Sequence, residues 1–296
     1  MTTDLLELDV FYGELTVYRA LIYARLPRPA DDTGLSLAGQ VRGPRCLHAE
    51  TLPLTAPLID LGPGPTLLAR AIIPEPTFWS PDLPAIYDVT VHLRRGTQTI
   101  ATARREIGLR SLGVRECDMV FAGKRWVLRG VSAGSTTETL PRAWHESSAT
   151  YFARYVDSER LDEASQWGAL AVVHIAEEGE NAVTRLRELA QHPAAAIAVL
   201  DGPLSNDFKK SAVAPNLLLA ERIDLQRRVT LSAWADMVLV SVNDADSLLT
   251  ASTAIQRPLI VHRPLASPLE LPLARLQCDV LQRDLAPIGQ FAGYIV

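Results

Sequence analysis

Between Gly168 and Leu200 the chain reads GALAVVHIAEEGENAVTRLRELAQHPAAAIAVL, and this stretch decides the fold. Two apolar runs of strand length, ALAVVHI and AAIAVL, flank a charged, amphipathic segment that starts a helix near Glu180. Strand, helix and strand in that order are the unit of a parallel sheet. The same alternation runs outward in both directions. Further strand candidates are WVLRGVS from Trp126, NLLLA from Asn216, DMVLVSV from Asp236, PLIVH from Pro258 and FAGYIV from Phe291, with a weak eighth near Arg154 to Val156. Helices are expected to start near Ser158, Ser205, Glu221, Asp244 and Ser267. Ser158-Glu-Arg-Leu-Asp offers a cap and first-turn acid, and Gly168 stands where a helix ends in a left-handed residue. Eight strands favour a (β/α) barrel over an open doubly wound sheet. A complete barrel typically takes about 250 residues, so the stretch from Trp126 to Val296 has to be shortened, with a helix lost between Ser132 and Glu159 and none after the last strand.

Before Trp126 the period is different. ELTVYRALIYARL, TLLARAIIP, YDVTVHL and TIATARREIGL are β-type runs punctuated by PRPADD, GPGP and RRGTQ. Val89, Val91 and Leu93 alternate with Thr90 and His92, so one face is buried and the other wet. That is antiparallel sandwich patterning. The expected organisation is an immunoglobulin-like β-sandwich over residues 1–114 followed by a shortened TIM-type barrel over residues 115–296.

A net charge of −5, with lysine and arginine scattered singly or in pairs, argues against a nucleic-acid partner. Cys46, Cys117 and Cys278 are odd in number and form no ligand spacing, so neither a metal site nor a disulfide framework is expected. The acidic amino terminus lacks the pattern of a secretory signal and no apolar run is long enough to span a bilayer, which gives a cytoplasmic expectation with no membrane partner. Fingerprints for dinucleotides, nucleoside triphosphates, serine hydrolases and zinc proteases are missing, and no cofactor is expected.

Several short pieces, in order, resemble glycoside hydrolase family 2, the family of β-galactosidases, β-mannosidases and β-glucuronidases. They are Trp79-Ser80-Pro81, Ile107-Gly108-Leu109-Arg110, and Ala122-Gly123-Lys124-Arg125 before Leu128-Arg129-Gly130. The Leu161–Gly168 helix end, the His192-Pro193 step, Arg257-Pro-Leu-Ile-Val and the segment from Gly289 to Val296 continue the resemblance. It covers the chain from about Leu6 and leaves the family's amino-terminal jelly-roll domain without a counterpart.

The resemblance implies two catalytic glutamates, at the ends of the fourth and seventh barrel strands. Counting from His192-Pro193, the Asn-Glu positions fall on Gly202-Pro203; counting from Arg257, the nucleophile position falls on Arg263. Glycine and proline cannot transfer a proton, and a guanidinium cannot attack an anomeric carbon. The expectation is therefore an inactive glycosidase relative serving as a carbohydrate-binding or interaction module. An active hydrolase would have to use relocated acids, with Asp201, Glu177 and Glu221 as candidates and Asn243-Asp244 as a further strand-end pair; each also fits a turn or helix-start role. A structural subunit, closed by another copy or a protein partner, is the third reading. Trp144 and His145, in Trp144-His145-Glu146, together with His174, His262 and Arg263, are the candidate ligand-binding residues, with carbohydrate as the expected ligand.

Overall fold

The structure is a computed structural model that describes residues 7–29, 33–202, 204–205, 208–225, 231–242, 248–250 and 254–296. The chain divides into two compact units. One runs to Arg110 and takes in Gln191–Pro193, and the other comprises Ser111–Ala190 and Ala194–Val296.

The first unit is an immunoglobulin-like sandwich. Its strands are β1 Asp9–Leu15, β2 Arg19–Pro27, β3 Leu35–Arg45, β4 Leu54–Asp60, β5 Thr66–Pro74, β6 Ile86–Arg95 and β7 Gln98–Ile107. They form one antiparallel sheet in the order β1-β2-β5-β4-β3-β6-β7, folded over a shared core. Val89, Val91 and Leu93 of β6 are fully buried while Thr90 and His92 face outward, as the alternation predicts. Ala20, Ile22 and Ala24 of β2 and Leu37 and Val41 of β3 join them in the core. Gly39 of β3 pairs with Val91, and a Cβ there would lie 1.9 Å from the Thr90 carbonyl oxygen. Only glycine allows these two backbones to approach so closely.

The second unit opens with a small antiparallel meander, β8 Leu112–Arg115, β9 Asp118–Phe121 and β10 Lys124–Trp126. A closed ring of eight parallel strands follows: β11 Leu128–Ser132, β12 Thr150–Ala153, β13 Ala171–Ile175, β14 Ala195–Leu200, β15 Leu218–Ile223, β16 Met237–Ser241, β17 Leu259–His262 and β18 Gly293–Ile295. β18 pairs with both β17 and β11, which closes the ring. Every residue of β14 is buried, because a barrel strand is covered on both faces.

The helices range from a single turn to fifteen residues. Those bounded within the described residues are α1 Pro141–Glu146, α2 Ser158–Trp167, α3 Gly179–Leu189, the single turn α4 Lys210–Val213, and α5 Leu271–Leu285. Asp157 caps α2 by accepting from the Arg160 backbone N–H, and Gly168 ends it at φ 78°. α3 buries Ala182, Leu186 and Leu189 against the outer faces of β13 and β14, so the decisive stretch folds as its pattern predicts.

Four local expectations are corrected. The strand expected near Arg154 to Val156 lies earlier, at β12. Trp126 belongs to β10 rather than to the first barrel strand. The helix expected to be lost between Ser132 and Glu159 survives as α1, its Trp144 buried against Tyr151. No helix starts at Glu221, which lies within β15. The start of the helix expected near Asp244 lies outside the described residues, and residues 248–250 that follow are helical.

α5 lies over β11 and β18, where the ring closes. Arg129 on β11 reaches out to Asp279 at 2.9 Å and to Gln282, and its guanidinium stacks over Tyr294 of β18. The Cys278 thiol donates to the Gly130 carbonyl, and burial pushes its pKa up to about 11, so it is an inert packing group. Among the described residues no helix is long and apolar enough to cross a membrane.

Candidate functional site

Side-chain parity builds the site. Ala171, Val173 and Ile175 of β13 pack outward against helices, so Val172 and His174 point into the ring. On β14 the outward set includes Ala198 and Leu200, which sends Val199, and the next odd position Asp201, inward. Leu219 of β15, and Leu217 just before it, face out, so Arg222 faces in and Glu221 does not. Phe152 contacts His262 across the interior, although β12 and β17 are separated by β11 and β18.

The carboxyl-terminal end of the barrel is therefore lined by Ser132, Phe152, His174, Asp201, Arg222 and His262. Barrel enzymes place their chemistry at this end. Phe152 sits between the two imidazoles, edge-on to His262 with centroids 5.3 Å apart and roughly parallel to His174 at 6.5 Å. His174 Nε2 lies 2.7 Å from Asp201 Oδ1, and since an ionised carboxylate only accepts, Nε2 carries the proton. Arg222 Nη1 approaches the same oxygen at 3.4 Å. His262 Nε2 lies 3.3 Å from Ser132 Oγ. Burial, then the Arg222 charge and then His174 lower the pKa of His262 to about 4, so it is neutral at pH 7.

The layer is thus an aromatic and imidazole floor with a half-exposed polar rim, Asp201 and Arg222 having 47% and 37% of their side chains open. The loops after β11 and β17 meet beside it, where Thr136 bridges Leu269 and the Leu269 N–H donates to the Ser135 carbonyl.

Among the described residues, the other candidate acids do not join Asp201. Glu177, just beyond β13, is exposed. Glu221 is buried and turned outward, where its carboxylate accepts from the Ser232 backbone N–H at 2.7 Å and hydroxyl at 2.9 Å. At the resemblance-implied positions, Gly202 is half-buried, Pro203 lies outside the described residues, and Arg263 pairs with Asp284 at 2.7 Å. Asn243 and Asp244 also lie outside the described residues.

Trp144 is 1% exposed and packs edge-on against Tyr151 outside the ring, its indole N–H donating to Glu138; His145 beside it on α1 is half-buried. Neither residue takes part in the mouth layer described above. Sequence reading missed Ser132, Phe152 and Arg222. Their strands are short or covered on both faces and show no clear alternation, so only the closed ring identifies these residues as inward-facing. Among the described residues no three histidine, cysteine, aspartate or glutamate side chains group as a metal site.

Comparisons with known proteins bear on this arrangement. The model of Glycosyl hydrolases family 2 matches residues 49–110. A search of curated proteins found no match. Among solved structures, a β-glucuronidase from Parabacteroides merdae is similar over 98% of this chain and 46% of its own, at 16% identity and a TM-score of 0.63. A Bacteroides uniformis β-glucuronidase shares 14% identity over 98% of this chain and 45% of its own, with a TM-score of 0.60. A β-D-glucuronidase from Dictyoglomus thermophilum is 13% identical over 98% of this chain and 61% of its own, with a TM-score of 0.60. The chain thus spans about half the length of these structures. Residues 49–110 carry the sequence pattern of Glycosyl hydrolases family 2, and the described chain has the sandwich-and-barrel fold of these β-glucuronidases.

Proposed function

We propose that this chain is a non-hydrolytic relative of the family 2 glycosidases that binds carbohydrate at the mouth of its barrel. The observation that carries this reading is the state of Asp201: its carboxylate is engaged by His174 and Arg222, and among the described residues no other candidate acid joins it. A retaining glycosidase needs two carboxyl groups about 5 to 5.5 Å apart, one to protonate the leaving oxygen and one to attack. A binding site needs less. An aromatic floor with a few converging polar groups is the usual composition of a small-ligand site, and Phe152 with Asp201, Arg222, Ser132 and His262 supplies it.

Aryl β-galactosides, β-glucuronides and β-mannosides incubated with the folded protein should release no aglycone, while the corresponding free sugars should shift the imidazole resonances of His174 and His262. Asp201→Asn should weaken sugar binding by about tenfold, the scale of one hydrogen bond to a charged group. A second reading, hydrolysis by a relocated acid, rests on the His174–Asp201 pair. Aglycone release that disappears in Asp201→Asn would establish that reading and overturn ours.

A further inference from the structure

The ion pair at the barrel mouth is only half used. His174 Nε2 and Arg222 Nη1 both address the same oxygen of Asp201, Oδ1, at 2.7 and 3.4 Å. Among the described residues, Oδ2 of that carboxylate has no hydrogen-bond partner, and neither do Nη2 and Nε of that guanidinium. A pure acceptor and a fork of donors therefore stand side by side on a rim that is about half open. The carboxylate is also held in place, because the His174 that grips its other oxygen is only 4% exposed. We propose that the unused half of this pair recognises two adjacent hydroxyl groups, so that the ligand is a neutral sugar with a free vicinal diol and not a uronate. This rests on the carbohydrate reading above and adds to it the class of sugar.

The argument is one of matching donors to acceptors. A hydroxyl both donates and accepts, whereas an ionised carboxylate only accepts. Of two neighbouring hydroxyls, one donates to Asp201 Oδ2 and the other accepts from Arg222 Nη2, so both free groups are satisfied at once. A uronate carboxylate can take the guanidinium, but it has no proton for Oδ2 and lies beside a like charge. At about 4 Å that repulsion lowers affinity about tenfold in a half-exposed setting. The other basic groups nearby do not offset it: Arg263 is held by Asp284, and His262 is neutral at pH 7. Phe152, between the two imidazoles, offers the C–H face of the same sugar an apolar contact.

Matched glycosides that differ only at the terminal carbon test this: methyl β-glucoside against methyl β-glucuronide, and methyl β-galactoside against methyl β-galacturonide. Each is titrated into the full chain at pH 7 and read by the His174 and His262 imidazole resonances. In at least one pair the neutral member should bind about tenfold more tightly, and its fully O-methylated form should not bind. Asp201→Asn should weaken the neutral glycoside and narrow the gap to the uronate, and Arg222→Gln should weaken the neutral glycoside several-fold. Circular dichroism identifies a variant that fails to fold, and the glycoside comparison in the wild type needs no variant. Uronates that bind as tightly as their neutral partners, or a preference unchanged in Asp201→Asn, overturn this inference and leave carbohydrate binding standing. Absence of binding by all four glycosides overturns the carbohydrate reading itself, and this inference with it.

Discussion

Lowering the pH should weaken the barrel through one side chain, His262. Its pKa lies at about 4 instead of 6.5, chiefly because it is buried and secondarily because Arg222 and His174 face it. The displacement is about 2.5 pH units, and at about 1.4 kcal/mol per unit it corresponds to about 3 kcal/mol. The sign follows from proton uptake. Below pH 6.5 the unfolded chain protonates this imidazole while the folded chain does not, so protons favour unfolding. The contribution is whole above pH 6.5, declines as pH falls towards 4, and is lost below that value.

The direct assay is NMR titration of the His262 imidazole, assigned by its disappearance in His262→Gln. A midpoint near 4 is expected in the wild type. Arg222→Gln, which removes the second cause, should raise it modestly. Phe152→Ala, which admits water beside the ring, should raise it further because burial is the first cause. Between pH 7 and 4.5 the wild type should lose most of that 3 kcal/mol relative to His262→Gln in urea unfolding of the barrel. A wild-type midpoint near 6.5, or one that moves more in Arg222→Gln than in Phe152→Ala, would refute the electrostatic account of the mouth.

Two other substitutions test the packing of each unit by itself. Gly39→Ala should disrupt β3–β6 pairing, since its Cβ would sit 1.9 Å from the Thr90 oxygen; sharply reduced soluble yield or a large fall in melting temperature is expected, and a native-like melt would contradict it. Asp157→Ala removes the side-chain cap of α2 and should cost about 1 kcal/mol in chemical denaturation, with Asp157→Asn recovering most of the loss.

The fold was legible where burial is periodic. The alternation of β6 and the uninterrupted apolar run of β14 both announce their surroundings, a one-sided sheet in the first case and a strand covered on both faces in the second. Reading failed where a short polar sequence has a tertiary partner. Ala-Glu-Arg at 220–222 resembles a helix start, yet Ser232, eleven residues beyond Glu221, satisfies the Glu221 carboxylate and lets the strand continue. Thr150–Ala153 is too short to show a period, and its place is fixed by pairing with β11 and β13. Trp144 suggested a sugar platform by residue type, but the helix that carries it turns the indole into the core. The mouth was half legible. His174, Asp201 and His262 stand out chemically, whereas Phe152, Ser132 and Arg222 become site residues only once the ring fixes which parity of each strand faces inward.

Closure of the barrel changes what a shortened helix costs. In an open sheet, eroding a flanking element near an edge strand uncovers unpaired backbone groups that invite another chain to add a strand. Here every strand of the ring has a neighbour on both sides, so replacing a full helix by the single turn α4 or the six residues of α1 sacrifices apolar cover alone. That loss is graded by area and can be recovered by one larger side chain, whereas a broken ladder is an all-or-none hazard. A ring of this kind can be trimmed from the outside, helix by helix, without becoming a template for aggregation.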